Sequence, residues 1–161
     1  MKRHTISLLV ENRFGALSRI SGLFSGRGYN IESLTVAPTT DPTVSRMTIV
    51  TIGDDKVVEQ ITKQLNKLID VIKVWNVSDY DYIGRELVLV RVSTTEHPQD
   101  EIIRAGQAFG AKVVDVAEKS IAFEMMGDEQ EVESFLNLLK PFGIKELVRS
   151  GILAMLKEGS K

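Results

Sequence analysis

The first half of the chain changes its hydrophobic periodicity in a regular way. At residues 6–10 hydrophobic and mostly polar residues alternate, which predicts a strand with one buried face. Between Leu17 and Phe24 hydrophobic residues recur every three or four positions, which is the spacing of an amphipathic helix. Gly26 and Gly28 follow this stretch, so we expect the helix to end there. The chain is therefore predicted to begin with a strand followed directly by a helix.

Four further elements complete this half. Strands are predicted around residues 34–36 and 47–51, because a turn-forming segment with two prolines, residues 38–42, lies between two alternating stretches. Helical spacing returns at residues 58–68. Alternation at residues 71–77 then predicts a fourth strand. The predicted order is βαββαβ.

The second half predicts the same order of elements. Its predicted elements are a strand at 87–92, a helix with Pro98 at its first position and Gly110 at its end, strands at 113–116 and 121–125, a helix at 132–139 and a strand at 144–148. Residues 52–59 and 126–133 resemble one another, which supports an internal repeat.

Two βαββαβ units predict an α+β fold of two ferredoxin-like modules in tandem, each with an antiparallel sheet and both helices on one face. A short polar segment near residues 78–84 separates the halves, so we place the modules at residues 1–78 and 79–161. In the first module, some hydrophobic residues fall on the sheet face away from the helices. They are Leu9, Val50, Ile52 and Ile72. Such a face is usually covered by another protein surface, so a homodimer is predicted.

Composition and charge exclude several classes of function. The chain has 20 Lys and Arg residues and 22 Asp and Glu residues, and a formal net charge of −2 argues against a nucleic-acid partner. The predicted strand at residues 45–50 also lacks the aromatic residues that stack on RNA bases. No cysteine is present, so disulfides and thiolate chemistry are excluded.

The first residues do not predict a targeting segment. Lys2-Arg3-His4 is basic, but an alternating strand follows it instead of a long hydrophobic run. We therefore predict neither a signal peptide nor a membrane span, and we expect a cytoplasmic protein.

The loop at residues 12–17 is the strongest candidate for a binding site. Gly15 allows the backbone N–H groups of Ala16 and Leu17 to point toward solvent at the start of a helix, where small anions such as a carboxylate bind. The amide of Asn12 can contact the same ligand. Alternatively, Asn12 caps the turn and Gly15 is an ordinary loop glycine, and the residues alone leave both interpretations open.

Two other loops bear on this site. Asn30 is either a turn residue or an amide at an interface, where it would contact a ligand held by the opposite subunit. The corresponding loop of the second module, residues 94–98, has no glycine and contains Glu96 and Pro98. Because an acidic residue repels a carboxylate and proline lacks an N–H donor, only the first module is predicted to receive an anion.

Enzymatic chemistry has little support. His4 and His97 lie in different modules, and neither has the spacing of a metal site. No serine nucleophile motif is present either. We predict no catalytic and no metal-binding residues, and the alternative of a small enzyme would require activity that depends on one of these histidines.

Three segments identify a family. Residues 11–20, 27–38 and 45–48 closely resemble the small regulatory subunits of acetolactate synthase, in which the first module is an ACT domain. The second half resembles them more loosely, in its length and in the ending Arg149-Ser150-Gly151. This resemblance implies a non-catalytic chain of branched-chain amino acid biosynthesis. It would bind the large catalytic subunit, raise its activity and confer feedback inhibition by valine.

The resemblance also implies roles for individual residues. The effector-binding residues would be Asn12, Gly15, Ala16 and Leu17 of one subunit and Asn30 and Ile31 of the facing subunit, with Ala37 and Gln60 nearby. No cofactor is expected in this chain, because thiamine diphosphate, magnesium and FAD would belong to the catalytic partner. The residues do not decide between valine, leucine and isoleucine. A stand-alone amino-acid-sensing ACT protein that regulates another target is the alternative.

Overall fold

The computed structural model describes residues 2–160, and within that range it has nine strands and four α-helices. They are β1 (Lys2–Glu11), α1 (Ala16–Gly26), β2 (Ser33–Pro38), β3 (Val44–Gly53), α2 (Asp55–Leu65), β4 (Val71–Asn76), β5 (Tyr82–Ser93), α3 (Gln99–Gln107), β6 (Lys112–Ala117), β7 (Ser120–Gly127), α4 (Glu129–Leu139), β8 (Ile144–Arg149) and β9 (Leu153–Leu156). The order βαββαβ occurs twice, so the predicted α+β fold of two tandem modules is confirmed.

The first sheet is antiparallel, with the strand order β2-β3-β1-β4. Alternate residues of β1 point into the core, where Ile6 and Leu8 are fully buried. They belong to one hydrophobic cluster with Phe24 of α1 and Ile61 of α2, so both helices cover the same face of the sheet. Burial of each such side chain contributes about 1.5–3 kcal/mol to folding.

The second sheet repeats this arrangement, with the strand order β6-β7-β5-β8. Its core contains Val90 of β5, Phe123 of β7, Ile102 of α3 and Phe135 of α4, all of them buried. The rings of Phe123 and Phe135 meet edge to face, with their centroids 6.2 Å apart.

The repeated segment has the same structural role in both modules. The Oδ1 atom of Asp54 accepts a hydrogen bond from the N–H of Val57 at 2.8 Å, and Asp54 thereby caps α2. In the same way Asp128 caps α4, because its Oδ1 accepts from the N–H of Glu131 at 2.8 Å. Each aspartate fixes the residue at which the helix after a central strand begins.

The start of α3 differs slightly from the prediction. Pro98 lies immediately before the helix instead of at its first position, and its carbonyl accepts from the N–H groups of Glu101 and Ile102 at 3.1 and 3.3 Å. Its ψ of 139° is extended, which is the ordinary backbone conformation of a capping residue.

The chain forms two compact units whose limits differ from the predicted modules both at the boundary between them and at the carboxyl end. The first unit comprises the residues up to Ile83 together with those from Ile152 onward, and the second is Gly84–Gly151. The residues from Ile152 onward, predicted to belong to the second module, are part of the first unit, and they include β9, which the sequence pattern does not predict. Within the first unit the N–H of Lys157 donates to the carbonyl of Asp81 at 3.0 Å.

The face of the first sheet away from its helices is partly covered by the chain itself. On this face Val50 is 1% exposed, whereas Ile52 and Ile72 are 49% and 53% exposed. Thr35 on the same face donates its hydroxyl to the carbonyl of Ile152 at 3.3 Å, just before β9. A second copy is therefore expected to cover only the exposed part of this face, and the homodimer stays a prediction.

The ending at residues 149–151 has a structural role in the second unit. Arg149 binds Glu86 through two hydrogen bonds, from Nε at 2.9 Å and from Nη2 at 2.8 Å. Ser150 donates its N–H to the carbonyl of Leu87 and accepts from the N–H of Leu87 on its Oγ, both at 3.0 Å. These contacts attach the end of β8 to β5.

Candidate effector site

The junction between β1 and α1 has an open helix N-terminus. Gly15 precedes the helix with a φ of +83°, a conformation that disfavours side chains, and no side chain caps α1. The N–H of Ala16 donates to the carbonyl of Arg13 at 3.3 Å. Among residues 2–160 no acceptor faces the N–H groups of Gly15, Leu17 and Ser18. Of the two amides predicted to bind an anion, that of Leu17 is therefore open and that of Ala16 is used weakly in the turn.

The amide of Asn12 contributes to the loop itself. Its Nδ2 donates to the carbonyl of Pro42 at 2.9 Å, and its backbone N–H donates to the carbonyl of Thr43 at 2.8 Å. Both bonds attach the junction to the turn between β2 and β3. This geometry favours the interpretation of Asn12 as a residue that fixes the turn, while its Oδ1 remains available to a ligand amine.

A buried aspartate lies beneath the junction. The side chain of Asp70, just before β4, is 1% exposed and accepts hydrogen bonds on Oδ1 from Nε of Arg13 at 2.5 Å and on Oδ2 from Nε of Arg19. Its backbone carbonyl accepts from the N–H of Glu11 at 2.8 Å. The Arg19 guanidinium, with that of Arg13, holds the pKa of the Asp70 carboxyl below its ordinary value, because both stabilise the ionised form.

Sequence reasoning missed Asp70 and Arg19 and assigned no role to Arg13. A local signal for Arg19 exists, since it lies four residues after Gly15 and helical side chains point back toward the N-terminus. Asp70 lies 51 residues further along the chain, so no spacing pattern links it to the loop.

The helix starts differ in their charge. α1 has no acidic residue in its first turn, whereas α2 and α4 are capped by aspartates and α3 begins with Asp100 and Glu101. The partial positive charge at the start of α1 is therefore not offset within its own first turn. The second module has acidic residues in the first turn of its corresponding helix, in addition to Glu96 in the loop, and that only the first module receives an anion stays a prediction.

The remaining predicted residues lie away from this junction within one chain. Asn30 and Ile31 follow the opposite end of α1, and a helix of 11 residues is about 16 Å long. The carbonyl of Asn30 accepts from the Thr51 hydroxyl at 2.7 Å, and its side chain is exposed. Ile31 packs against the first core. A site formed by both groups needs a second copy of the chain, which stays a prediction.

Ala37 and Gln60 are also separate from the junction. Ala37 is exposed on the edge strand β2 and lies opposite Arg46 of β3. Gln60 is exposed on α2, and its Oε1 accepts from the hydroxyl of Tyr29 at 3.3 Å. Tyr29 thereby connects Gln60 to the segment that precedes Asn30.

Residues 2–160 contain neither a cluster of metal ligands nor a helix that could cross a membrane. Within this range no three or more His, Cys, Asp or Glu side chains converge as metal ligands. None of the helices described has the length and hydrophobicity that a membrane crossing requires.

Comparison with known proteins gives two family matches. The family described as "AHAS small subunit-like ACT domain" matches residues 6–73, and the family described as "Small subunit of acetolactate synthase" matches residues 85–158. Together they cover most of both halves. The chain belongs to the acetolactate synthase small-subunit family.

Individual members of the acetolactate synthase small-subunit family match nearly the whole chain. A probable acetolactate synthase small subunit of Archaeoglobus fulgidus is 49% identical over 159 residues, which cover 99% of each chain. The acetolactate synthase isozyme 3 small subunit of Escherichia coli is 45% identical and covers 99% of this chain and 98% of its own. The crystal structure of the Thermotoga maritima acetolactate synthase small subunit is 37% identical, has a TM-score of 0.86 and covers 98% of each chain.

These similarities confirm the resemblance found in the sequence. The chain is a regulatory protein, and its first half contains an ACT domain. The designation of its relatives as small subunits implies a catalytic subunit as partner.

Proposed function

We propose that this chain is a non-catalytic subunit that activates the catalytic subunit of acetolactate synthase and makes it sensitive to feedback inhibition by valine. Valine would bind at the open start of α1, at an interface between two copies of the chain. The observation that carries this proposal is the group of unpaired N–H donors at Gly15, Leu17 and Ser18 in a chain similar to small subunits over nearly its full length. Thiamine diphosphate, magnesium and FAD are proposed to bind only the catalytic partner.

The free-energy contributions expected for ligand binding at this junction support a sensor of a free amino acid. Two or three charge-assisted hydrogen bonds to a carboxylate contribute about 1.5–3 kcal/mol each. Burial of an isopropyl group adds about 1.5–3 kcal/mol. Association costs at least about 4 kcal/mol, so the upper part of the remainder corresponds to millimolar to micromolar binding. That range suits a metabolite sensor.

The proposed regulation follows from the binding of one effector molecule by two copies of the chain. An effector that contacts two copies stabilises one arrangement of the pair over others. If the catalytic subunit binds these arrangements with different affinity, the effector and the catalytic subunit are coupled. The second copy would supply Asn30 and Ile31, which one chain does not bring to the junction.

The partnership is tested by mixing the purified chain with an acetolactate synthase catalytic subunit from the same genome. We expect the two to co-purify, the chain to raise acetolactate formation, and valine to reverse that increase in the mixture. The catalytic subunit alone is the control, and it should respond less to valine. Absence of both co-purification and any change in rate contradicts the proposal and favours an ACT protein with another target.

The binding site is tested with Gly15→Asp. The new carboxylate would lie at the start of α1, which is the place proposed for that of valine, and its Cβ would lie 2.8 Å from Nη1 of Arg19. We expect calorimetry to show at least about a tenfold loss of valine affinity, equivalent to about 1.4 kcal/mol.

Gly110→Asp is a matched control for this substitution. Gly110 has a similar φ of +71°, and a Cβ there meets no atom within 4 Å. This variant introduces the same charge and a similar backbone strain in the second module, so we expect valine to bind it as it binds the original chain. Unchanged binding by Gly15→Asp, or an equal loss in both variants, places the effector elsewhere.

A further inference from the structure

We propose that Arg19 binds the carboxylate of the effector and that Asp70 is a positioning residue which holds Arg19 in place. This inference rests on the proposed function, and it adds a side-chain cation to a site otherwise made of backbone amides. The guanidinium of Arg19 lies beside Gly15 at the start of α1.

The side chain of Arg19 runs back from the end of the first turn of α1 to the junction. Its Nη2 donates to the carbonyl of Phe14 at 3.3 Å, and its Nε donates to Asp70. The position of a Cβ on Gly15 lies 2.8 Å from Nη1 and 3.3 Å from Cζ of Arg19, so the guanidinium is in van der Waals range of the turn. Nη1 meets no acceptor among residues 2–160.

This geometry distinguishes Arg19 from Arg13. Arg13 donates its Nε to Asp70, and its Nη1 lies 3.0 Å from Oε2 of Glu11. Arg13 therefore has two carboxylate partners within the chain. Arg19 has one, and its Nη1 lies beside Gly15, at the end of the helix that attracts anions. A guanidinium in this position can add a charge-assisted hydrogen bond to a carboxylate.

Asp70 makes this arrangement rigid. Its carboxylate is buried, and each of its oxygens is used by a different arginine. Its backbone carbonyl accepts from Glu11 at the end of β1, so the carboxylate is fixed relative to the junction. An arginine that is already ordered loses less conformational freedom when it binds a ligand, which strengthens binding without a new contact.

The test uses two probes, valine and valinamide, which lacks the carboxylate. We expect Arg19→Gln to weaken valine binding about tenfold and to change valinamide binding little, so the preference for valine over valinamide falls. Arg19→Lys keeps the charge and should restore part of the loss. Asp70→Asn should weaken valine binding by about threefold, and adding it to Arg19→Gln should cost no more, because Asp70 acts through Arg19.

Arg104→Gln is the matched control. Arg104 lies in α3, and its Nε donates back to the carbonyl of Asp100 at 3.2 Å, four residues earlier. Its loss should leave both affinities unchanged. Equal losses for valine and valinamide in Arg19→Gln, or no loss, overturn the role of Arg19. Tighter valine binding by Asp70→Asn overturns the positioning role, because Asp70 then competes with the ligand. If the original chain binds no valine, the proposed function itself fails before these variants are compared.

Discussion

Arg149→Met is expected to destabilise the second unit by about 3 kcal/mol, because it leaves the carboxylate of Glu86 buried without its cation. The side chain of Glu86 is 8% exposed and receives two hydrogen bonds from Arg149. Arg149 also donates Nη1 to Glu133 of α4 at 2.9 Å, so the substitution removes this link between α4 and β8 as well. Because Arg149 is itself 33% exposed, we place the effect at the lower end of the about 3–5 kcal/mol found for buried pairs.

Arg91→Met is the matched control for this prediction. Arg91 lies on β5 and pairs with Asp115 at 2.9 Å and with Glu146 at 3.9 Å, but both carboxylates are more than half exposed. Loss of a surface pair costs about 0–1 kcal/mol. Urea unfolding of the full-length chain measures both variants. Similar small effects for Arg149→Met and Arg91→Met contradict the view that residues 149–151 hold the second unit together.

Gly106→Ala is expected to destabilise the second unit by about 3 kcal/mol through a steric conflict. A Cβ on Gly106, which is buried in α3, would lie 2.3 Å from Cε1 of Phe123. Phe123 is fully buried and packs edge to face on Phe135, so its ring cannot move away without disturbing the core. Thermal unfolding measures the effect, and a shift of roughly 2–4 °C is expected for each kcal/mol.

Gly22→Ala is the control, and it is expected to stabilise the chain slightly where Gly106→Ala destabilises it. Gly22 lies in α1, and a Cβ there meets no atom within 4 Å. Alanine is preferred over glycine in a helix interior by roughly 0.5–1 kcal/mol, so this variant should be slightly more stable than the original chain. A stabilised Gly106→Ala variant contradicts the packing of α3 against Phe123.

Much of the fold could be predicted because its signals are local. The alternation at residues 6–10 and the helical spacing from Leu17 to Phe24 each depend on neighbours a few positions apart, and both elements form where the pattern predicts them. The aspartates that cap α2 and α4 are recognisable in the repeated segment for the same reason. β9 has only four residues, and its position depends on contacts such as that between Thr35 and Ile152, which are 117 residues apart.

The candidate site shows the same division between local and distant information. Gly15 and the start of α1 are adjacent in sequence, so an open helix N-terminus could be predicted there. The role of the Asn12 amide depends on the carbonyl of Pro42, and the anchoring of Arg19 depends on Asp70. Neither partner has a pattern that links it to the loop, so residue types alone left Asn12 ambiguous and Arg19 unnoticed.

The chain re-enters the first unit at Ile152, so along the sequence the second unit is an insertion within the first. A protease that removes residues from the carboxyl end would therefore shorten the compact unit that contains the start of α1, although these residues follow Gly84–Gly151 directly along the chain. A fluorescent label attached close to Ser160 would likewise report on that unit. A cut between Ile83 and Gly84 would leave residues of the first compact unit on both fragments.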